Sequence, residues 1–377
     1  MAQVKNWQLK REMKYPYEDS RPQKQIAYVF DTNKCIACQT CTVACKTTWT
    51  SGKGQETMFW NNVETKPYGS YPMKWDMNLM KDMSDQSWDK TTGAYTGKTI
   101  FEDAPRGENA KGWRPEERDY AYPNIGEDEC SGIVEKGAFF NGIHDIWMFY
   151  LARICNHCTY PGCLAACPRK AIYKRPEDGI VLIDESRCRG YKECVKACPY
   201  KKTFYNMVTR VSEKCIGCYP LVEQGEQPRC VTTCIGKIRM QGFLSKPGEE
   251  RADNPLDYLV RIKKVALPLY PQYGTEPNVY YIPPVHVPKE FLNQMFGPGV
   301  DEAIKTYKTA KDDKELLSAF LMFGNTPKIV HKFKSEGDFA VGYNDKNEVV
   351  TKVPHTEPVF VRPYYDEKQE AYRHNTP

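Results

Sequence analysis

Fifteen of the sixteen cysteines in this 377-residue chain fall into four tight groups. The first reads Cys35-x2-Cys38-x2-Cys41-x3-Cys45, and the second Cys155-x2-Cys158-x4-Cys163-x3-Cys167-Pro168. The third is Cys188-x5-Cys194-x3-Cys198-Pro199 and the fourth Cys215-x2-Cys218-x11-Cys230-x3-Cys234, leaving only Cys130 apart. Thiolates at these spacings hold ferredoxin-type iron-sulfur clusters, and in such a run the first three ligate one cluster while the fourth ligates its neighbour. The closing x3 gap is about one helical turn, so the third and fourth sulfurs leave a short helix toward different clusters.

Groups two and three are separated by 20 residues and should form one cluster pair, which leaves groups one and four to pair around the outside. That nesting assigns Cys35, Cys38, Cys41 and Cys234 to a first [4Fe-4S] cluster and Cys45, Cys215, Cys218 and Cys230 to a second. A third takes Cys155, Cys158, Cys163 and Cys198. The fourth set, Cys167, Cys188 and Cys194, lacks a thiolate where Tyr191 stands. A neutral phenol is a poor iron ligand beside thiolates, which points to [3Fe-4S]; the alternative is that Tyr191 packs nearby while water or another residue completes a cubane.

Structural zinc would explain Cys-x2-Cys pairs but not four-cysteine runs with Cys-Pro endings. A disulfide scaffold would call for a secretion signal, which the polar start MAQVKNWQLKREMKY does not offer. Cys130 reads as a free thiol. The six histidines are scattered, no catalytic group is assigned, and His157 inside the Cys155–Cys158 loop reads as a hydrogen-bonding or packing residue.

Length suggests two or three domains. With hydrophobic content of 41%, mean hydropathy of −0.65, 25 Tyr and 27 Pro, the cores should be modest, with the aromatics packed on cofactors or a partner. The net charge of +5 is interspersed, which argues against nucleic acid as a partner. Apolar stretches such as 146–154 and 316–323 fall far short of the ~20 residues a membrane-spanning helix needs.

The expected fold class is α+β: two bacterial-ferredoxin-like cluster-binding domains with long insertions and a C-terminal partner-contacting extension. Residues 1–24 read as an arm, 25–50 plus 205–245 as the outer ferredoxin-like domain and 146–204 as the inner one. Residues 51–145 form the insertion, ordered and partner-facing because Trp60, Trp75, Trp88 and Trp113 fall within it, and 246–377 form the extension. Strands are expected over Ile26–Phe30 and Ile180–Ile183. Val300, Ala303, Ile304 and Tyr307 follow one helix face, and a second helix is expected to run to Phe323 with Gly324 as its left-handed terminator.

Beyond the cysteines, the chain carries Asn61-Asn62-Val63-Glu64-Thr65-Lys66-Pro67, Ala171-Ile172-Tyr173-Lys174-Arg175, Asp178-Gly179-Ile180-Val181-Leu182-Ile183-Asp184, Cys188-Arg189-Gly190, Cys198-Pro199-Tyr200-Lys201-Lys202, Ser212-Glu213-Lys214-Cys215 and Ala266-Leu267-Pro268-Leu269. With these it resembles the iron-sulfur beta subunits of the respiratory nitrate reductase and nitrite oxidoreductase group in the dimethyl sulfoxide reductase superfamily. The likeness covers 26 to about 290, apart from the middle of the insertion. Where nitrate reductase beta subunits of that family carry tryptophan at the missing-ligand position, this chain has Tyr191.

The resemblance implies an electron wire between a molybdenum bis-pterin catalytic alpha subunit and a haem b gamma subunit, with the Cys35 cluster nearest molybdenum and the Tyr191 cluster nearest haem. It also implies an extracytoplasmic location, reached folded with the catalytic subunit, the cytoplasmic face of the membrane being the alternative. The shorter chain favours nitrite oxidoreductase, or relatives acting on selenate, chlorate, dimethyl sulfide or ethylbenzene. Lys201, Lys202, Arg189 and Lys192 flank the inner pair and either stabilise reduced clusters or form a solvated or partner-facing basic patch. The reading of another class is a structural zinc or assembly protein.

Overall fold

The computed structural model describes residues 1–67, 69–120, 147–356 and 364–373. Cys130 and the end of the insertion lie outside the described residues. The fold is mixed α and β.

Residues expected as an arm instead begin with a β-hairpin, Ala2–Asn6 against Arg11–Tyr15, with Ala2 opposite Tyr15. Val4 and Met13 alternate with exposed Lys and Glu, so one face of the hairpin is apolar, and Val4, Leu9, Met13 and Tyr15 are all buried.

The strand expected at Ile26–Phe30 forms over Gln25–Asp31 and is buried along its whole length. It has no polar face because it lies inside a four-stranded sheet, antiparallel to Arg239–Leu244 on one side and parallel to Val279–Ile282 on the other. Leu267–Pro268 closes the far edge.

Four short helices carry the later cysteines of each group. Thr40–Trp49 holds Cys41 and Cys45, Gly162–Ala165 holds Cys163, Glu193–Ala197 holds Cys194, and Arg229–Thr232 holds Cys230. Three of them run into the same turn: the N–H of Lys170, Lys201 or Lys237 reaches the carbonyl of Cys167, Cys198 or Cys234 at 3.1–3.2 Å, and each lysine is left-handed. Two hairpins complete this repeat, Ile172–Lys174 with Val181–Ile183 and Thr203–Tyr205 with Ser212–Lys214.

The insertion leaves and re-enters on one antiparallel pair, Asn62–Lys66 with Phe149–Arg153. Its Trp75 is fully buried. The core is not modest, contrary to expectation: Tyr28, Trp75, Tyr95, Tyr160, Tyr200, Tyr270, Tyr273 and Tyr281 all belong to one buried cluster. Each such ring removes roughly 150–250 Å² from water, so low overall hydropathy concealed a core built from tyrosine.

In the C-terminal region the helix face Val300, Ala303, Ile304 is buried as expected, within Val300–Lys308. The next helix stops at Phe320, earlier than expected, and turns carry the chain to Gly324, whose φ is +62°. Among the described residues no helix is long and apolar enough to cross a membrane.

Candidate metal centres

The fifteen cysteines outside 121–146 are all free thiols, so none is spent on a disulfide. Cys45, Cys215, Cys218 and Cys230, scattered across 186 positions of chain, line one cavity of about 340 Å³. Cys35, Cys38, Cys41 and Cys234 line a second of about 320 Å³. Cys155, Cys158, Cys163 and Cys198 line a third of about 340 Å³. Each is a quartet drawn from two different sequence groups.

The fourth set gathers at Ser212, whose N–H donates to Cys188 Sγ at 3.4 Å and whose hydroxyl accepts from the Cys194 thiol at 3.3 Å. Cys167 and Cys188 lie within electrostatic reach of Cys194. Tyr191 is 59% exposed.

Local sequence explains how the loops face their sulfurs. In Cys35–Cys38, Cys155–Cys158 and Cys215–Cys218 the residue before the second cysteine is left-handed: Ala37 at φ 53°, His157 at 40° and Gly217 at 65°. That turn aims backbone N–H groups inward, and those of His157 and Gly217 donate to Cys155 Sγ and Cys215 Sγ at 3.5 and 3.4 Å. Further N–H···S bonds come from Ala171 to Cys167 at 3.3 Å and Lys202 to Cys198 at 3.5 Å. The Trp49 indole N–H donates to Cys218 Sγ at 3.2 Å.

These donor sets fit iron-sulfur clusters. Burial pushes the thiols of Cys215, Cys230 and Cys194 up to about 12 and that of Cys218 to about 11, so thiolates persist there only with a cationic centre to hold them. Four sulfurs set around one shared cavity suit a polynuclear core. Zinc asks for donors converging at about 2.3 Å, and no such convergent group occurs among the described residues.

His157 is fully buried, and its Nδ1 accepts from the Val181 N–H at 3.1 Å, which leaves the ring proton on Nε2. Burial holds its pKa well below the ordinary value, so the ring is neutral. This meets the sequence expectation for the residue.

The 4Fe-4S dicluster domain family matches residues 146–244. The chain is 46% identical over 310 residues to the selenate reductase subunit beta of Thauera selenatis, covering 75% of this chain and 90% of that one. It is 47% identical over 311 residues to the chlorate reductase subunit beta of Ideonella dechloratans, again 75% and 90%. The respiratory nitrate reductase subunit beta of Haloferax mediterranei is 42% identical over 318 residues, 76% of this chain and 86% of the relative. The chain belongs to this reductase beta-subunit family.

Several residues that bear on the beta subunit's sites could not be singled out from sequence. Glu64 and Arg153, both buried, meet at 2.9 Å, and Lys66 meets Asp76 at 2.9 Å. Trp75 Nε1 donates to Glu64 at 2.7 Å, Tyr270 to Asp76 at 2.7 Å, and the Arg153 guanidinium lies 4.0 Å from the Trp75 ring centroid. This network pins the insertion to the inner cysteine loops, because Arg153 also donates to the Tyr200 carbonyl at 2.8 Å.

Lys201 and Lys202 are buried, which overturns the solvated-patch alternative for these two. Lys202 lines the Cys155 cavity and donates to the Phe59 carbonyl at 3.2 Å and to Asn62 Oδ1. Arg189 stays exposed and Lys192 covers the Tyr205 ring at 4.2 Å. Arg239, another buried cation, went unremarked in sequence because nothing local marks an arginine in a strand as buried.

Proposed function

We propose that this beta subunit relays electrons through three [4Fe-4S] clusters and one [3Fe-4S] cluster, held by the nested sets: Cys35, Cys38, Cys41, Cys234; Cys45, Cys215, Cys218, Cys230; Cys155, Cys158, Cys163, Cys198; and Cys167, Cys188, Cys194 beside Tyr191. The observation that carries it is a gradient of exposure. Both middle sets are buried apart from half-buried Cys158, while the Cys35 set reaches the surface through Cys38 and the Tyr191 set through half-buried Cys167 and Cys188. A relay needs insulated middle stations and accessible ends. When bound, such clusters supply one-electron chemistry at potentials set by charge, hydrogen bonds and exposure.

On this reading the partners are a molybdenum bis-pterin catalytic subunit at the Cys35 end and a haem b subunit at the Tyr191 end. The outer ferredoxin-like domain comprises 25–50 plus 205–245, the inner one 146–204, and the C-terminal extension faces a partner. The complex acts as a nitrite oxidoreductase or nitrate reductase. A second reading, a selenate or chlorate reductase, is favoured by the 46% and 47% identities to those beta subunits. The proposed compartment is extracytoplasmic, entered folded with the catalytic subunit; a twin-arginine signal on that subunit tests it.

The relay is tested in the assembled complex with Cys218→Ser, which removes a donor from the second set. Substrate turnover driven from the haem side should fall at least tenfold, while turnover with a small artificial donor that reaches the catalytic subunit directly should persist. Equal loss of both activities would contradict the relay.

A further inference from the structure

Arg239 is fully buried, on the edge strand of the central sheet. Its Nη2 donates to Cys41 Sγ at 2.9 Å and its Nη1 to Asn61 Oδ1 at 3.0 Å, and the guanidinium lies 4.5 Å from the Phe30 ring centroid. The Nε–H has no acceptor among the described residues. It lines the Cys35 cavity, and its charge also acts on Cys230 of the neighbouring buried set. No carboxylate forms an ion pair with it among the described residues, so its charge is balanced by sulfur. A cation fixed between two anionic metal sites favours the reduced state of both, and burial keeps that field from being screened.

We propose that Arg239 is a positioning residue shared by the first and second cluster sites, holding the reduction potentials of both upward in concert. The inference rests on the ligand sets proposed above. It predicts coupling between the two sites of the outer ferredoxin-like domain that ligand identity alone does not give. Removing the charge should lower both midpoints and leave the third and fourth sites unmoved.

The test uses the full-length beta subunit, purified anaerobically in complex with its catalytic partner, and reads iron content together with redox titration followed by electron paramagnetic resonance. Arg239→Met should make reduction of the first and second clusters at least tenfold less favourable, ~59 mV downward for a one-electron couple. Arg239→Lys should retain most of the effect. Asn61→Asp keeps the shape but sets a carboxylate against Nη1; it should also lower both midpoints, and it carries the test if Arg239→Met fails to load iron. First and second midpoints within twofold of wild type in the iron-loaded variants would overturn the proposal. Wild-type protein without iron would instead overturn the ligand sets on which it rests.

Discussion

Arg153 and Glu64 face each other at 2.9 Å, with both side chains withdrawn from water, across the two strands where the insertion departs and returns. Each charge is met in more than one direction: Glu64 also accepts from Trp75 and from the Tyr71 N–H at 3.2 Å, and Arg153 stacks on Trp75. Breaking a buried pair from one side strands the other charge, which costs about 3–5 kcal/mol. Glu64→Gln should therefore destabilise the chain by that order in denaturant unfolding. Glu64→Gln with Arg153→Met should cost less than the sum of the single changes. A loss below about 1 kcal/mol, typical of exposed pairs, would show that the network is dispensable.

Acid should weaken the N-terminal hairpin through Glu102. Burial pushes this carboxyl up, but the Arg11 fork, with contacts at 2.9 and 2.7 Å, and the Thr99 N–H more than offset it and leave the pKa below the usual range. A depressed carboxylate stabilises the fold above its unfolded pKa of about 4.3, and that contribution disappears as pH falls through the folded value. Thermal unfolding of wild type and Glu102→Gln should differ at pH 7 and converge below pH ~4. A gap that does not narrow would contradict the assignment.

Lys202 sits beside the two buried middle cysteine sets. It lines the Cys155 cavity, and although burial pushes the pKa of its ammonium well below the ordinary range, the anionic sulfurs of Cys45 and Cys215 favour the charged form, so with clusters bound Lys202→Met should lower the second and third midpoints by roughly tenfold in equilibrium constant, ~59 mV. The sequence reading set Lys202 beside the inner pair as a whole, whereas its surroundings in the structure are the second and third cysteine sets. An unchanged pair of midpoints would remove Lys202 from the account.

On the proposed assignment, Tyr191 stands where a fourth thiolate is missing. Oxidised wild-type protein should give a three-iron paramagnetic signal at low temperature, and Tyr191→Cys should abolish it while adding about one iron per chain. Persistence of the signal in the variant would place the open position elsewhere.

That cysteines of different sequence groups would gather around shared cavities was legible because their spacings within each group are short and fixed, and pairing groups by separation needs no tertiary knowledge. The strand at Ile26–Phe30 and the helix face Val300, Ala303, Ile304 were legible for the same reason, being local patterns. The hairpin at Ala2–Tyr15 was masked by its Lys and Glu residues, which occupy only its outer face. Arg153 and Arg239 read as surface charges by type, and only the packing of distant segments around them, as around Lys202, reveals their burial. The tyrosine core was missed because tyrosine scores as polar, although Tyr200, Tyr270 and Tyr281 satisfy their hydroxyls internally, on Leu269, Asp76 and Ala152.

The central claim is tested most directly by iron, sulfide and zinc analysis of the anaerobically purified full-length chain in its complex, joined to an experimental density map of the metal sites. The account predicts about 15 irons per chain, in four clusters whose donors are swapped between neighbouring cysteine groups, Cys234 with the Cys35 loop and Cys45 with the Cys215 loop. Zinc in place of iron, or clusters each held by one consecutive cysteine group, would contradict it.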